Sequence, residues 1–161
     1  MVALTPQGHA FTEAVLGIFR VNGRLLEAGD LLAQPVGLSS ARWQVLGVVE
    51  HSPISVAHVA RAMGLSRQSV QQTADGLKKD GFIAFVDNPH HRRSRLMQIT
   101  PKGRAAMGYL QQRQAEWANA LAAGLPPEDL AAAARVLRRL HELLADQAPE
   151  ANAQPADPPS K

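Results

Sequence analysis

Cysteine is absent from the 161 residues, which excludes disulfides, thiolate metal sites and thiol-based redox sensing. Long apolar runs are absent as well. None approaches the roughly 20 residues that a membrane-spanning helix needs, and the opening MVALTPQGHAF lacks the charged start and long apolar run of a secretory signal. The expected location is therefore the cytoplasm, with no membrane partner. Marks of catalysis are missing too: there is no nucleophile elbow, no phosphate-binding glycine loop and no carboxylate pair beside a histidine on one element. Gly103-Arg104 after Lys102 reads as the start of a helix. The six histidines nowhere form the i, i+4 pair or mixed cluster with acids that a zinc site requires. No enzyme activity, metal or cofactor is expected.

What is present fits one domain with a moderate core, or a small domain plus helices that pair with a second copy. Hydrophobic residues make up 45% of the chain and the net charge is +3, unevenly spread. Between Arg61 and Arg104, nine bases face three acids, a net of +6 that leaves −3 for the remainder. A basic segment in an otherwise acidic chain is the footprint of a nucleic-acid binder, although the charge alone would also suit a solvated face.

The same segment carries the clearest local pattern. In SVAHVARAMG, Ser55 is placed to cap a helix that ends at Gly64. Ser66 caps a second helix, Arg67 to Asp80, in which Val70, Ala74 and Leu77 recur at helical spacing and point inward. Ser66, Arg67, Gln68, Ser69, Gln71 and Gln72 are then left facing out. Glutamine amides pair with the edge of adenine, the arginine fork with guanine, and serine with a base or phosphate, so this face has groove-reading chemistry. Gly81 stops the helix. FIAFV and LMQIT read as the strands of a hairpin whose tip, NPHHRRSR, supplies His90, His91, Arg92, Arg93 and Arg95 as backbone or minor-groove contacts. Thr100 caps the next helix, with Pro101 at its first position.

The order VAHVARAMGLSRQSVQQTADGLKKDGFI, then the arginine-rich NPHHRRSR, then LxxITPKG resembles the multiple antibiotic resistance regulator (MarR) family of bacterial transcription factors. The similarity extends more loosely from Phe11 to Ala145. It implies a mainly α fold: a winged helix-turn-helix with a small β wing, flanked by N- and C-terminal dimerisation helices. It further implies a homodimer that binds a pseudo-palindromic double-stranded DNA operator, in most cases as a repressor. Relatives often carry acids just before the paired wing arginines. Here Asn88 and His91 stand there, so the carboxylate brace of the wing falls on Asp87 or is missing. Relatives also bind small aromatic effectors between dimerisation helices and winged helix, a crevice that in this chain would draw on Phe11, Trp43, His51 and Met107. A winged helix used only as a protein-interaction module is the alternative, and it would show apolar residues where Gln68, Gln71 and Gln72 stand.

The flanks complete the expected architecture. Residues 1–34 and 101–147 are assigned to dimerisation and 35–100 to the winged helix. Thr5 and Pro6 open a first helix expected to reach about Leu32, glycine-punctuated at Gly17, Gly23 and Gly29 and therefore dependent on packing. Ser39 or Ser40 caps ARWQVLGVVEH, with Trp43, Val45, Leu46 and Val49 inward, and Ile54 is expected in a short first strand. Leu130, Ala134, Leu137, Leu140, His141 and Leu144 share one face of a last helix that needs a partner. Residues 148–161 are proline-rich, polar and without large apolar side chains, the composition of a disordered tail. Truncation after Ala148 is accordingly expected to leave both thermal melting and DNA binding unchanged, and a marked fall in either measurement would show that the tail docks.

Overall fold

The computed structural model describes residues 2–89 and 94–147. The elements in chain order are α1 (Pro6–Ala33), a 3-10 turn (Gln34–Val36), α2 (Ser40–Val49), β1 (Ile54–Ser55), α3 (Val56–Met63), α4 (Arg67–Lys79), β2 (Ile83–Val86), β3 (Leu96–Ile99), α5 (Pro101–Ala122) and α6 (Pro127–Gln147). They divide into two compact units, Met1–Ala115 and Glu116–Lys161. His90 to Arg93 at the hairpin tip and the tail from Ala148 lie outside the described residues.

The starts of α1 to α5 are written in hydroxyl side chains. Thr5, Ser39, Ser55 and Ser66 accept backbone N–H groups of Gly8, Arg42, His58 and Ser69, and Thr100 accepts the Gly103 N–H at 3.1 Å. Such caps satisfy amide groups that have no intrahelical partner, each for about 1 kcal/mol. The end of α3 is equally local. Gly64 has φ 65°, its N–H reaches Arg61 O, and the Leu65 N–H returns to Ala60 O at 2.9 Å, closing the helix with a Schellman arrangement. Leu65 serves that turn through its backbone, and its side chain stays half-exposed.

The core of the first unit joins α2, α3, α4, the hairpin and the early turns of α5. Val45, Leu46 and Val49 enter it from α2, Val59 and Ala60 from α3, Val70, Ala74 and Leu77 from α4. Met97 and Ile99 of β3, Ile83 of β2, and Met107 and Leu110 of α5 close it. Burying a large aliphatic side chain contributes roughly 1.5–3 kcal/mol. The sheet is antiparallel in the order β1-β3-β2, with Ile54 opposite Met97 and Phe85 on the other side of the same residue. Alternation along β3 buries Met97 and Ile99 and exposes Gln98.

Helix α1 meets α2 at one close joint. A Cβ at Gly29 would come within 2.6 Å of Ser40 Oγ, and the next residue, Asp30, accepts the Ser40 N–H at 2.6 Å. A carboxylate thus sits at the positive end of α2, an arrangement worth about 0.3–1 kcal/mol. Away from this joint the apolar face of α1 is open: Phe11, Leu16, Phe19, Val21 and Leu25 are each about half-exposed or more. In the second unit the same holds for Leu121, Leu125, Val136, Leu137 and Leu144. No helix among the described residues is long and apolar enough to cross a membrane.

The start of α5 packs tightly on the hairpin. A Cβ at Gly103 would lie 2.3 Å from the Phe82 carbonyl oxygen and 2.6 Å from Ile99 Cγ1. Overpacking of this kind costs about 1–3 kcal/mol, whereas Gly108 on the same helix has nothing within 4 Å. Thermal denaturation should therefore show Gly103→Ala melting several degrees below the parent chain and Gly108→Ala at or above it. Equal melting of the two variants would contradict the close approach.

Candidate nucleic-acid interface

Helix α4 is fastened from behind by Val70, Ala74 and Leu77, all fully buried, and this leaves its opposite side free. Ser66, Arg67, Gln68, Ser69, Gln71 and Gln72 are all exposed over its first two turns, as the helical period requires. Beside them runs a groove of about 730 Å³. One wall is α4, through Arg67, Gln68, Gln71, Asp75 and Lys78; the other is the hairpin, through Phe85, Ser94 and Arg95; Val56 and Ala57 at the start of α3 form the floor. Among the described residues, three cations thus line the groove with one carboxylate.

Arg95 does not hang free. Its Nη2 donates to Phe85 O at 2.7 Å and its guanidinium lies 5.9 Å from the Phe85 ring centroid. Lys78 Nζ approaches the same ring at 5.9 Å, so Phe85 gathers a cation from α4 and one from the residue just before β3 beside the groove. Ser66, Ser69 and Gln72 belong to the exposed face but do not line the groove. His90, His91, Arg92 and Arg93 lie outside the described residues, as does any brace between Asp87 and the paired arginines. Asp75, Lys78 and Phe85 were not singled out by the sequence pattern. Only the four-residue spacing of Gln71 and Asp75 hinted at their hydrogen bond, Nε2 to Oδ1 at 2.9 Å.

Behind α4 a polar latch fixes its C-terminal end. Arg42 of α2 pairs with Asp80 at 2.5 Å. Lys102 of α5 donates to Asp80 O at 2.7 Å and sits 4.5 Å from the Phe82 ring centroid, with Arg42 at 5.8 Å from the same ring. Thr100 Oγ1 donates within reach of Gly81 O, at 2.7 Å, and Phe82 O, at 3.0 Å. The hydrogen bond from Arg42, reinforced by its charge and those of Lys79 and Lys102, holds the Asp80 carboxyl below its ordinary range.

The four residues proposed for an effector crevice are dispersed in character. Phe11 is exposed on α1, Trp43 half-buried at the edge of the core, and Met107 buried within it. His51 lines a cavity of about 80 Å³ beside Val49, Ile99 and Arg104, which the other three do not reach.

Three short helices, a three-stranded sheet and an exposed polar second helix define a winged helix-turn-helix protein. A sequence profile of the MarR family matches residues 36–94. An uncharacterized protein of Mycobacterium tuberculosis is 35% identical over 126 residues, 78% of this chain and 88% of that one. The transcriptional activatory protein BadR of Rhodopseudomonas palustris is 29% identical over 99 residues, 59% of this chain and 57% of its own. Among solved structures, a MarR family transcription regulator superposes with a TM-score of 0.75 at 20% identity, covering 90% of this chain and 97% of that one. The transcriptional repressor CouR, solved on a 23-mer DNA duplex, gives 0.73 at 22% identity over 86% of this chain and 99% of its own. CouR of Rhodococcus jostii has also been solved with p-coumaroyl-CoA, with a TM-score of 0.63 at 22% identity over 76% of this chain and 87% of its own. The chain belongs to the MarR family and is a winged-helix, DNA-binding transcription regulator.

The depressed Asp80 has a directional consequence. A carboxylate whose folded pKa is lowered adds stability above its unfolded value, near 4, and loses it as pH falls through the folded value. Asp80→Asn is expected to melt below the parent chain at neutral pH, with the gap closing below about pH 4. A gap unchanged from pH 7 to pH 3 would remove Arg42 and Asp80 from the latch.

Proposed function

We propose that this chain acts as a homodimeric repressor that reads an inverted-repeat operator through α4 and is released from it by a small aromatic effector. The observation that carries the DNA reading is the exposed polar face of α4 beside the cationic groove. In this reading Ser66, Arg67, Gln68, Ser69, Gln71 and Gln72 enter the major groove. The phosphate backbone follows the groove past Lys78 and Arg95, and His90, His91, Arg92 and Arg93 contact backbone or minor groove. A protein-interaction module would offer apolar side chains on that face, and it has none.

The dimer rests on a different surface. Half-exposed leucines, valines and phenylalanines occur along α1 in one unit and along α6 in the other, more apolar surface than a soluble monomer usually leaves open. A second copy related by a two-fold axis would cover like with like. One turn of DNA, about 34 to 36 Å, would then separate the two recognition helices. Repression and effector release are supported by the fold shared with CouR, which has been solved with DNA and with a phenolic thioester. Phe11, Trp43, His51 and Met107 remain the residues proposed for that ligand. Activation is the second reading, favoured by the name of BadR.

Sedimentation and titration of the upstream DNA of the gene, over a range of salt concentrations, test this directly. The parent chain should sediment as a dimer and bind with an affinity that falls steeply with salt, by a log-log slope near −0.9 per phosphate contact. Arg92→Ala and Arg93→Ala should each weaken binding to all sequences and flatten that slope by about 1. Leu137→Lys should give a monomer without specific binding. A monomer of full affinity would overturn the dimer, and salt-independent binding would overturn the backbone contacts.

A further inference from the structure

Asp75 is a carboxylate on the one surface of this protein that faces a polyanion. It lines the groove with Gln71, one helical turn before it, and accepts the Gln71 Nε2 proton at 2.9 Å. Both side chains are exposed, and an exposed pair of this spacing adds little to helix stability. A negative charge that opposes phosphate and barely strengthens the helix calls for another reason.

The reason lies in the symmetry of the glutamine side chain. A free amide turns over easily and offers its oxygen or its nitrogen to either side. A carboxylate has only acceptors, so it takes only the nitrogen end. With one Nε2 proton held on Asp75, the carbonyl oxygen and the second Nε2 proton of Gln71 remain together as an acceptor and a donor. Adenine presents the matching pair in the major groove, a donor at N6 and an acceptor at N7. Guanine presents two acceptors, N7 and O6, which the single remaining donor cannot serve.

We propose, building on the DNA-binding reading above, that Asp75 is a positioning residue that fixes Gln71 to read adenine at one position of each half-site. It acts through Gln71 and touches no base. Its charge lowers affinity for DNA in general while raising discrimination, so the two quantities move in opposite directions when it is removed.

Selection from a pool of random duplexes, followed by competition titrations, separates these effects for the full chain and for Gln71→Ala, Asp75→Ala and Asp75→Asn. The parent chain should enrich an inverted repeat with adenine preferred about tenfold or more at one position per half-site. Asp75→Ala should lose most of that preference, as Gln71→Ala does, while binding an unrelated duplex more tightly than the parent. Asp75→Asn, whose amide can donate as well as accept and so takes either end of Gln71, should lose much of the adenine preference too and bind the unrelated duplex as tightly as Asp75→Ala. The proposal is overturned if Asp75→Ala or Asp75→Asn keeps the full preference. Failure of the parent chain to enrich any sequence would overturn the DNA-reading function itself and this inference with it. Melting curves of the variants, expected to match the parent because both positions are exposed, guard against misreading an unfolded chain.

Discussion

The seam between the end of α4 and the start of α5 holds the recognition surface in place. There the chain turns through Gly81, runs up β2, returns along β3 and re-enters a helix at Pro101, so that segments some 20 residues apart meet. Gly103 lets α5 approach the Phe82 carbonyl more closely than any side chain would allow. Thr100, Lys102 and Arg42 then satisfy the carbonyls of Asp80, Gly81 and Phe82 and the carboxylate of Asp80. Because the seam is satisfied from three elements, α4 has one orientation relative to the hairpin, and the groove between them has a defined width.

Function follows from what that packing leaves outside. The inward face of α4 is consumed by Val70, Ala74 and Leu77, and the polar face is what remains. The hairpin places Arg95 across the groove from Arg67 and Lys78, so three bases of the central segment lie on the side that carries the glutamines. The apolar faces of α1 and α6 are the complementary remainder. The core of the winged helix is built without the exposed apolar side chains of α1 and α6, which is the ground on which a second copy is proposed to cover them.

The hydroxyl caps were legible one by one, because a cap is a contact between residues three apart. The inward stripe of α4 and the hairpin strands were equally local. What could not be read were pairings between distant residues: Asp30 with Ser40, Arg42 with Asp80 across 38 residues, and the close approach at Gly103. These depend on where helices cross, and no period in the chain encodes a crossing. Gly29 illustrates the limit. Its composition signalled a weak helix that needs packing, yet only the fold showed that its missing Cβ makes room for Ser40. Of the candidate site, the exposed face of α4 followed from periodicity, whereas the groove and the bond from Gln71 to Asp75 required the hairpin and the rotamers to be in place. The effector residues were assigned by resemblance alone, and nothing local in Phe11, Trp43, His51 or Met107 draws them together.

The central claim is that α4 lies in the major groove, with two copies of it one turn of DNA apart. Methylation interference on a duplex selected by the protein tests that geometry most directly, because dimethyl sulfate marks guanine N7 in the major groove and adenine N3 in the minor groove. The account predicts two clusters of major-groove interference whose centres lie about 10 base pairs apart, with any minor-groove interference confined to the sequence beside them. Interference in a single cluster, or in the minor groove alone, would contradict it.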